Sequence, residues 1–250
     1  MTFVAGKSAS EFRTRHPEVS PMDAKILTPD ESKAIHISRM GRELGSLYDA
    51  LWQQVVWVHR RWSEYVVLFG TKESRVILMN SAAPSFCGML QEMMWESVLL
   101  HVARLTDPPK SANRTNLTIQ SLARLIGHAD TKAKVESLTQ EALAASAFCR
   151  DWRNRRLAHA DLDLALERAK ALQPASRLKV REALESLAAI LNAVSGHYLD
   201  GSTHFSAGVE AGGALPLLHV INDGLQVRRL RKEQGTGRRL DLHFAPPGDL

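Results

Sequence analysis

Along most of this chain apolar residues recur at steps of three and four, the spacing of one face of an α-helix. The longest stripe, Ile37, Met40, Leu44, Leu47, Leu51, Val55, Val58, Trp62, Tyr65 and Phe69, predicts one continuous helix of about nine turns. Thr28-Pro29-Asp30-Glu31 reads as its start, with proline in the first turn and acids facing the positive end of the helix dipole. Gly70-Thr71 closes it, and a second helical stretch runs to Thr106 with Phe86, Leu90, Met93, Ser97 and Leu100 as its core stripe. Pro84 must kink that stretch or restart it, and Asp107-Pro108-Pro109 ends it before a loop over residues 110–116.

A short helix from Thr118 to about Gly127 is expected next, then a long one from Asp130 to about His159. The seam of that long helix is Val135, Leu138, Ala142, Ala145, Cys149 and Trp152, and its continuation runs into Arg156 and His159. Further helices are predicted at 162–172, from Ser176 to about Asp200 on Val180, Leu184, Leu187, Leu191, Val194 and Tyr198, and from Ala214 to Lys232. Glycine-rich residues 201–213 read as a mobile connection, and residues 1–28, polar and interrupted by Pro17 and Pro21, as a flexible leader. Leu240 to Phe244 is the one stretch with strand character, and no internal repeat is visible. The fold class that follows is all-α: an up-and-down bundle of four principal helices over residues 29–200, with additional short helices and a C-terminal helix in 201–250.

With 250 residues, 44% apolar and 24% charged, the chain can bury a substantial core. No apolar run approaches the roughly 18 to 20 residues that span a bilayer, and the first residues lack the apolar centre of a secretory signal, so a cytoplasmic protein with no membrane partner is expected. Cys87 and Cys149 occupy apolar helical positions and read as reduced core thiols, not as a disulfide or a metal site. Asn113-Arg114-Thr115 and Asn116-Leu117-Thr118 match the glycosylation pattern, but without a secretory signal they read as loop and helix-start residues. The net charge of +5 is concentrated: Arg228, Arg229, Arg231, Lys232, Arg238 and Arg239 face a single Glu233, which equals the whole excess. Such a cluster supplies the salt-sensitive attraction to phosphate on which nucleic-acid binding rests, or serves as a solvated tail.

Candidate chemistry sits at the end of the long helix, where Arg150-Asp151-Trp152-Arg153-Asn154-Arg155-Arg156-Leu157-Ala158-His159 holds four arginines and a histidine in ten residues. A buried seam that turns cationic needs anionic partners or a ligand, because an unpaired buried charge costs several kcal/mol. Histidine exchanges protons near neutral pH. Arginine is a permanent fork suited to phosphate oxygens and to the charge that grows on them. RNA carries its own nucleophile in the 2'-hydroxyl, so these groups suffice without a metal or other cofactor, and the product would end in a 2',3'-cyclic phosphate.

The run Arg153-Asn154-Arg155-Arg156-Leu157-Ala158-His159 resembles the motif of the HEPN superfamily of four-helix-bundle proteins: arginine, a polar residue, four to six spacers, histidine. Glu96-Ser97-Val98-Leu99-Leu100-His101-Val102-Ala103-Arg104-Leu105-Thr106-Asp107-Pro108, followed by Asn116-Leu117-Thr118-Ile119, is similar to its AbiU2 branch, associated with abortive phage infection. The resemblance covers roughly residues 30–200. It implies a homodimer whose motif helices build one composite RNA-cleaving site, with His159 as general acid or base, Arg153 stabilising the phosphate and Asn154 orienting them. Arg150, Arg155 and Arg156, together with Arg228, Arg229, Arg231 and Lys232, would contact RNA, and an antitoxin protein is an implied partner.

Helix geometry leaves the choice of arginine open. At about 100° per residue, Arg153 and His159 lie about 240° apart on one straight helix, whereas Arg155 and His159 are about 40° apart. A two-fold composite site, or a helix ending near Leu157, removes the difficulty. Alternatively His159 caps the helix, the arginines bridge to Asp151, Asp161 and Asp163, and the domain binds RNA or protein without cutting it, or survives as a structural dimer. Elsewhere His36, His59 and His101 have no carboxylate or cysteine at ligand spacing and read against a metal site. Asp107 reads as a helix stop before two prolines, with a contact to the motif arginines as the lesser alternative, and Trp52, Trp57, Trp62 and Trp95 read as core or dimer seam more than as a base-stacking platform. No glycine-rich phosphate loop, serine elbow or zinc pattern is present in the sequence.

Overall fold

The structure, a computed structural model, describes residues 27–111, 113–206 and 212–233. Nearly all of the expected leader, the candidate strand at 240–244, and Arg238 and Arg239 lie outside these residues.

Helix α1 (Pro29–Met40) begins where the sequence places it. The Thr28 hydroxyl accepts from the Glu31 N–H at 3.3 Å while the Glu31 carboxylate accepts from the Thr28 N–H at 2.9 Å, a reciprocal cap that satisfies two of the unpaired donors at the helix start. The predicted nine-turn helix is nevertheless two helices. Gly41 adopts φ 82°, ψ 163°, a region that only glycine enters at low cost, and α2 (Arg42–Tyr65) starts immediately after it. The corner lets α1 fold onto α2: His36 Nδ1 meets Asp49 Oδ1 at 2.9 Å as a buried pair, and Gly45 lies against the His36 backbone. Periodicity runs through the break because Met40 and Leu44, one on each side of it, enter the same core.

A wide π turn, Val66–Gly70, extends α2. Then α3 (Glu73–Ala82) stops, and α4 (Pro84–Leu105) restarts with Pro84 in its first turn, where the missing N–H costs nothing. The predicted α4 stripe is corrected. Phe86 and Met93 are 57% and 59% exposed, while Val98, Leu99, Val102, Ala103 and Leu105 form the buried side. Because α4 is apolar on more than one face, spacing alone could not select the buried one.

After α4 a two-residue antiparallel hairpin, β1 (Lys110–Ser111) with β2 (Arg114–Thr115), replaces the expected loop. Two 3-10 turns, Ile119–Ser121 and Ala123–Leu125, replace the expected short helix. The long motif helix is also divided, into α5 (Ala129–Ala145), α6 (Ala147–Trp152) and a π turn, Arg153–Leu157. The break falls at Ser146, whose hydroxyl donates back to the Ala142 carbonyl at 2.6 Å, a local bond that bends helices. The helix expected at 162–172 shortens to α7 (Leu162–Ala165). Helix α8 (Arg177–Tyr198) follows as predicted, capped by the Ser176 hydroxyl accepting from the Lys179 N–H.

The bundle is built from α2, α4, the α5–α6 unit and α8: α2 packs on α4 and α8, α5 on α8, and α4 on α6. Leu51, Val55, Val58, Val98, Leu99, Val102, Val135, Cys149, Leu187 and Leu191 meet in its core. The first residues of the expected mobile connection are docked instead. Asn192 brackets Thr203 with two backbone bonds, Trp52 Nε1 donates to the Thr203 hydroxyl at 3.0 Å, and Phe205 lies 5.5 Å from the His59 ring. Helix α9 (Ala214–Glu233) packs on α3 through a second, smaller core that includes Leu68, Met79, Cys87 and Leu218. Both cysteines are free and buried, and burial pushes the Cys149 thiol up to about 12, which makes it inert. No described helix is long and apolar enough to cross a membrane.

Two histidines in the bundle are held neutral. Burial lowers His59, whose Nε2–H donates to the Leu184 carbonyl at 3.2 Å. Burial, with Arg61 and Arg104 nearby, lowers His101 to about 4. Below the unfolded value of about 6.5 the unfolded chain takes up protons that the folded chain refuses, so this contribution is complete above that pH and is lost as pH falls toward about 4. Urea midpoints are therefore expected to fall between about pH 7 and pH 5, and replacing both histidines with glutamine should flatten the slope.

Candidate functional site

The end of α4 is fixed by the residues that follow it. Its last carbonyls, left without helical partners, accept from side chains: Leu105 from the Thr118 hydroxyl at 3.0 Å, and Thr106 and Asp107 from Gln120 Nε2 at 2.9 and 3.0 Å. Asn116 Nδ2 donates to the Pro108 carbonyl at 2.7 Å. The spacing Thr106-Asp107-Pro108 with Asn116-Leu117-Thr118 is thus a clamp that immobilises Asp107.

Asp107 in turn holds the motif. Arg153 Nη1 donates to its Oδ1 and Oδ2 at 2.6 and 2.5 Å, and Arg153 Nε donates to Asn154 Oδ1 at 2.9 Å. The Nη2 of Arg153 has no protein partner among the described residues, so an anchored guanidinium keeps one edge open. Arg153 begins the π turn, which the Ala158 N–H closes onto the Arg153 carbonyl at 2.8 Å. The helix stops at Leu157, so His159 lies beyond it, exposed and without a hydrogen bond or ion pair among the described residues. The predicted seam therefore does not run on through Arg156 and His159, both of which are exposed. Five-residue closure and the helix end rotate them off the core face.

The other motif arginines have protein partners. Arg150 donates to the Leu143 carbonyl at 2.7 Å, to Ser146 Oγ at 3.2 Å and to Thr106 Oγ1 at 3.3 Å, bridging the helix break to the end of α4. Arg155 pairs with Asp151 at 3.5 Å and Asp161 at 3.6 Å and donates to the Lys170 carbonyl. Arg156 pairs with Glu92 at 3.0 Å and Glu96 at 3.5 Å of α4 and covers the Trp152 ring. Arg228, Arg229, Arg231 and Lys232 are exposed on α9, and no hydrogen bond or ion pair among the described residues joins them to the motif.

Asp107 is the site residue that sequence reasoning ranked too low. A carboxylate beside two prolines has a sufficient local explanation, and only the fold brings it to a guanidinium 46 positions away. Asp107→Ala leaves Arg153, whose side chain is 25% exposed, without its countercharge, and should cost about 2 kcal/mol in urea unfolding, below the cost for a fully buried pair. Asp107→Glu should recover part of it.

The bundle and the arginine-bearing end of its motif helix define a HEPN-type module. The model of the AbiU2 family of HEPN domains matches residues 42–212, well over half of the chain, and the protein belongs to that family. No curated protein and no solved structure matches the chain significantly.

Proposed function

We propose that this protein is a metal-independent endoribonuclease that works as a homodimer. The observation that carries the reading is the Arg153 guanidinium, gripped by Asp107 and Asn154 with Nη2 open, followed two residues past the helix end by the exposed His159. The 2'-oxygen of RNA attacks the adjacent phosphorus, its proton passes to a base, and the 5'-oxygen leaves with a proton from an acid. A histidine at neutral pH serves either role, and Arg153 balances the charge that builds on the phosphoryl oxygens. Asn154 is a positioning residue in this scheme.

The homodimer is supported by an apolar stripe beside the motif. Phe86, Met89 and Met93 are each more than half exposed on α4, and α4 is tied to the motif through Arg156 with Glu92 and Glu96. Covering these side chains with a second copy removes apolar surface from water and brings two motifs together. The exposed cations of α9 offer a phosphate-tracking surface. Family membership supports a role in abortive phage infection, with an antitoxin protein restraining the enzyme.

A second reading, a non-catalytic RNA- or protein-binding module, is favoured by one observation: Arg150, Arg155 and Arg156 all bind protein groups. Incubation with total cellular RNA and tRNA in EDTA separates the two. Cleavage that leaves 2',3'-cyclic phosphate ends supports the nuclease. Intact RNA that is nonetheless bound in a salt-dependent manner supports the binding module.

A further inference from the structure

Next to the motif, between the end of α4, α2 and the hairpin, lies a polar pocket of about 360 Å³ that includes Gln54, His101, Arg104, Asp107 and Asn116 in its lining. That volume is near the lower end of ligand pockets, about 300 to 1,000 Å³, and suits one nucleotide rather than a duplex.

Its chemistry is that of donors in excess of free negative charge. Arg61 Nη1 lies 3.2 Å from His101 Nδ1; since a guanidinium only donates, Nδ1 accepts and the proton of His101 sits on Nε2. That Nε2–H is the one buried side-chain polar atom without a partner among the described residues, and a buried donor left unpaired is costly. The guanidinium of Arg104 and the amide of Gln54 also make no hydrogen bond or ion pair among the described residues. The single carboxylate present, Asp107, is already neutralised by Arg153. Arg104 thus lines the space as a guanidinium without a countercharge among the described residues, and Arg61, held on His101, adds a second positive charge behind the lining. Lys110 and Arg114, on the adjoining hairpin, are exposed and add to the positive field.

We infer that this pocket is a phosphate-binding subsite that holds a nucleotide of single-stranded RNA beside the motif, with Arg104 and Gln54 donating to the phosphate and the His101 ring lining the space beside them. Asp107 links the subsite to Arg153, so a nucleotide seated here fixes the position of the neighbouring phosphodiester at the open Nη2 edge. The inference rests on the ribonuclease reading for the polymer that occupies the pocket; the preference for phosphate rests on the pocket's own donors.

The test is titration of the full-length protein with a short 2'-O-methyl RNA, which cannot be cleaved by 2'-hydroxyl attack, while the imidazole nitrogens are followed by NMR. The expected result is a shift of the His101 Nε2 resonance, competition by inorganic phosphate, and affinity lowered about tenfold in Arg104→Gln, the size of one lost charge-assisted hydrogen bond. Arg104 is exposed, so this variant should unfold like the wild type, and Gln54→Ala provides a second, uncharged check. Unchanged affinity in both variants with a static His101 resonance overturns the subsite, whether or not RNA is cleaved. A 5'-mononucleotide that binds as tightly as the RNA overturns its assignment to a polymer. Intact subsite binding without cleavage of cellular RNA counts against the nuclease reading alone.

Discussion

His159→Ala is expected to lower RNA cleavage in EDTA by about two to four orders of magnitude, the usual contribution of a positioned acid or base, with no change in thermal midpoint. The second half follows from placement. His159 is exposed beyond the last turn of the motif helix and makes no hydrogen bond or ion pair among the described residues, so little folding energy depends on it. Arg153→Ala should lose a comparable amount of activity but also some stability, because it leaves Asp107 at 15% exposure without a countercharge. Arg153→Lys keeps the charge but loses the fork that grips Asp107 and Asn154 at once, and should recover stability more than activity. Cleavage rates for the three variants in EDTA, read beside their melting curves, test this. Undiminished cleavage by His159→Ala would remove the histidine from the mechanism.

The largest expected loss of stability comes from a single methyl group. In Gly45→Ala the added Cβ would lie 2.5 Å from the His36 carbonyl oxygen and 2.6 Å from the Ile37 Cα, both backbone atoms of α1 that no rotamer change can move. Helix α1 must lift from α2, which opens the buried His36–Asp49 pair and exposes part of the core beneath Met40 and Leu44. A cost of about 3 kcal/mol or more in urea unfolding is expected, in the range of overpacked cores. Gly88→Ala is the matched control. It sits in α4 with nothing within 4 Å of the added atom, and should stabilise by about 0.5 to 1 kcal/mol through helix propensity. Equal midpoints for the two variants would show that α1 is not held as closely as the Gly45 contact requires.

The same corner shows how far the sequence could be read. Thr28 and Glu31 announced the start of α1 because capping is local, and Pro84 announced the restart of α4 for the same reason. The break at Gly41 was written in the sequence as a glycine, yet the apolar stripe passed through it unbroken. Apolar spacing records which residues are buried, not whether the axis bends between them. In α4 the stripe Phe86, Leu90, Met93 was real, but the core took the face of Val98 and Val102. The exposed remainder became the surface assigned above to a second copy.

At the candidate site the division is sharper. The sequence by itself determined an all-helical chain, its principal helices and the motif from Arg153 to His159, because periodicity, capping and residue chemistry act within a few positions. It also carried Thr106-Asp107-Pro108 and Asn116-Leu117-Thr118 in plain view, without saying what they hold. Only the tertiary structure decided that Asp107 grips Arg153, that Arg150, Arg155 and Arg156 are engaged by protein groups, and that His101 retains an unpaired proton beside a polar pocket. Those are pairings between residues tens of positions apart, where charge and hydrogen-bond geometry select a partner only after the helices have packed.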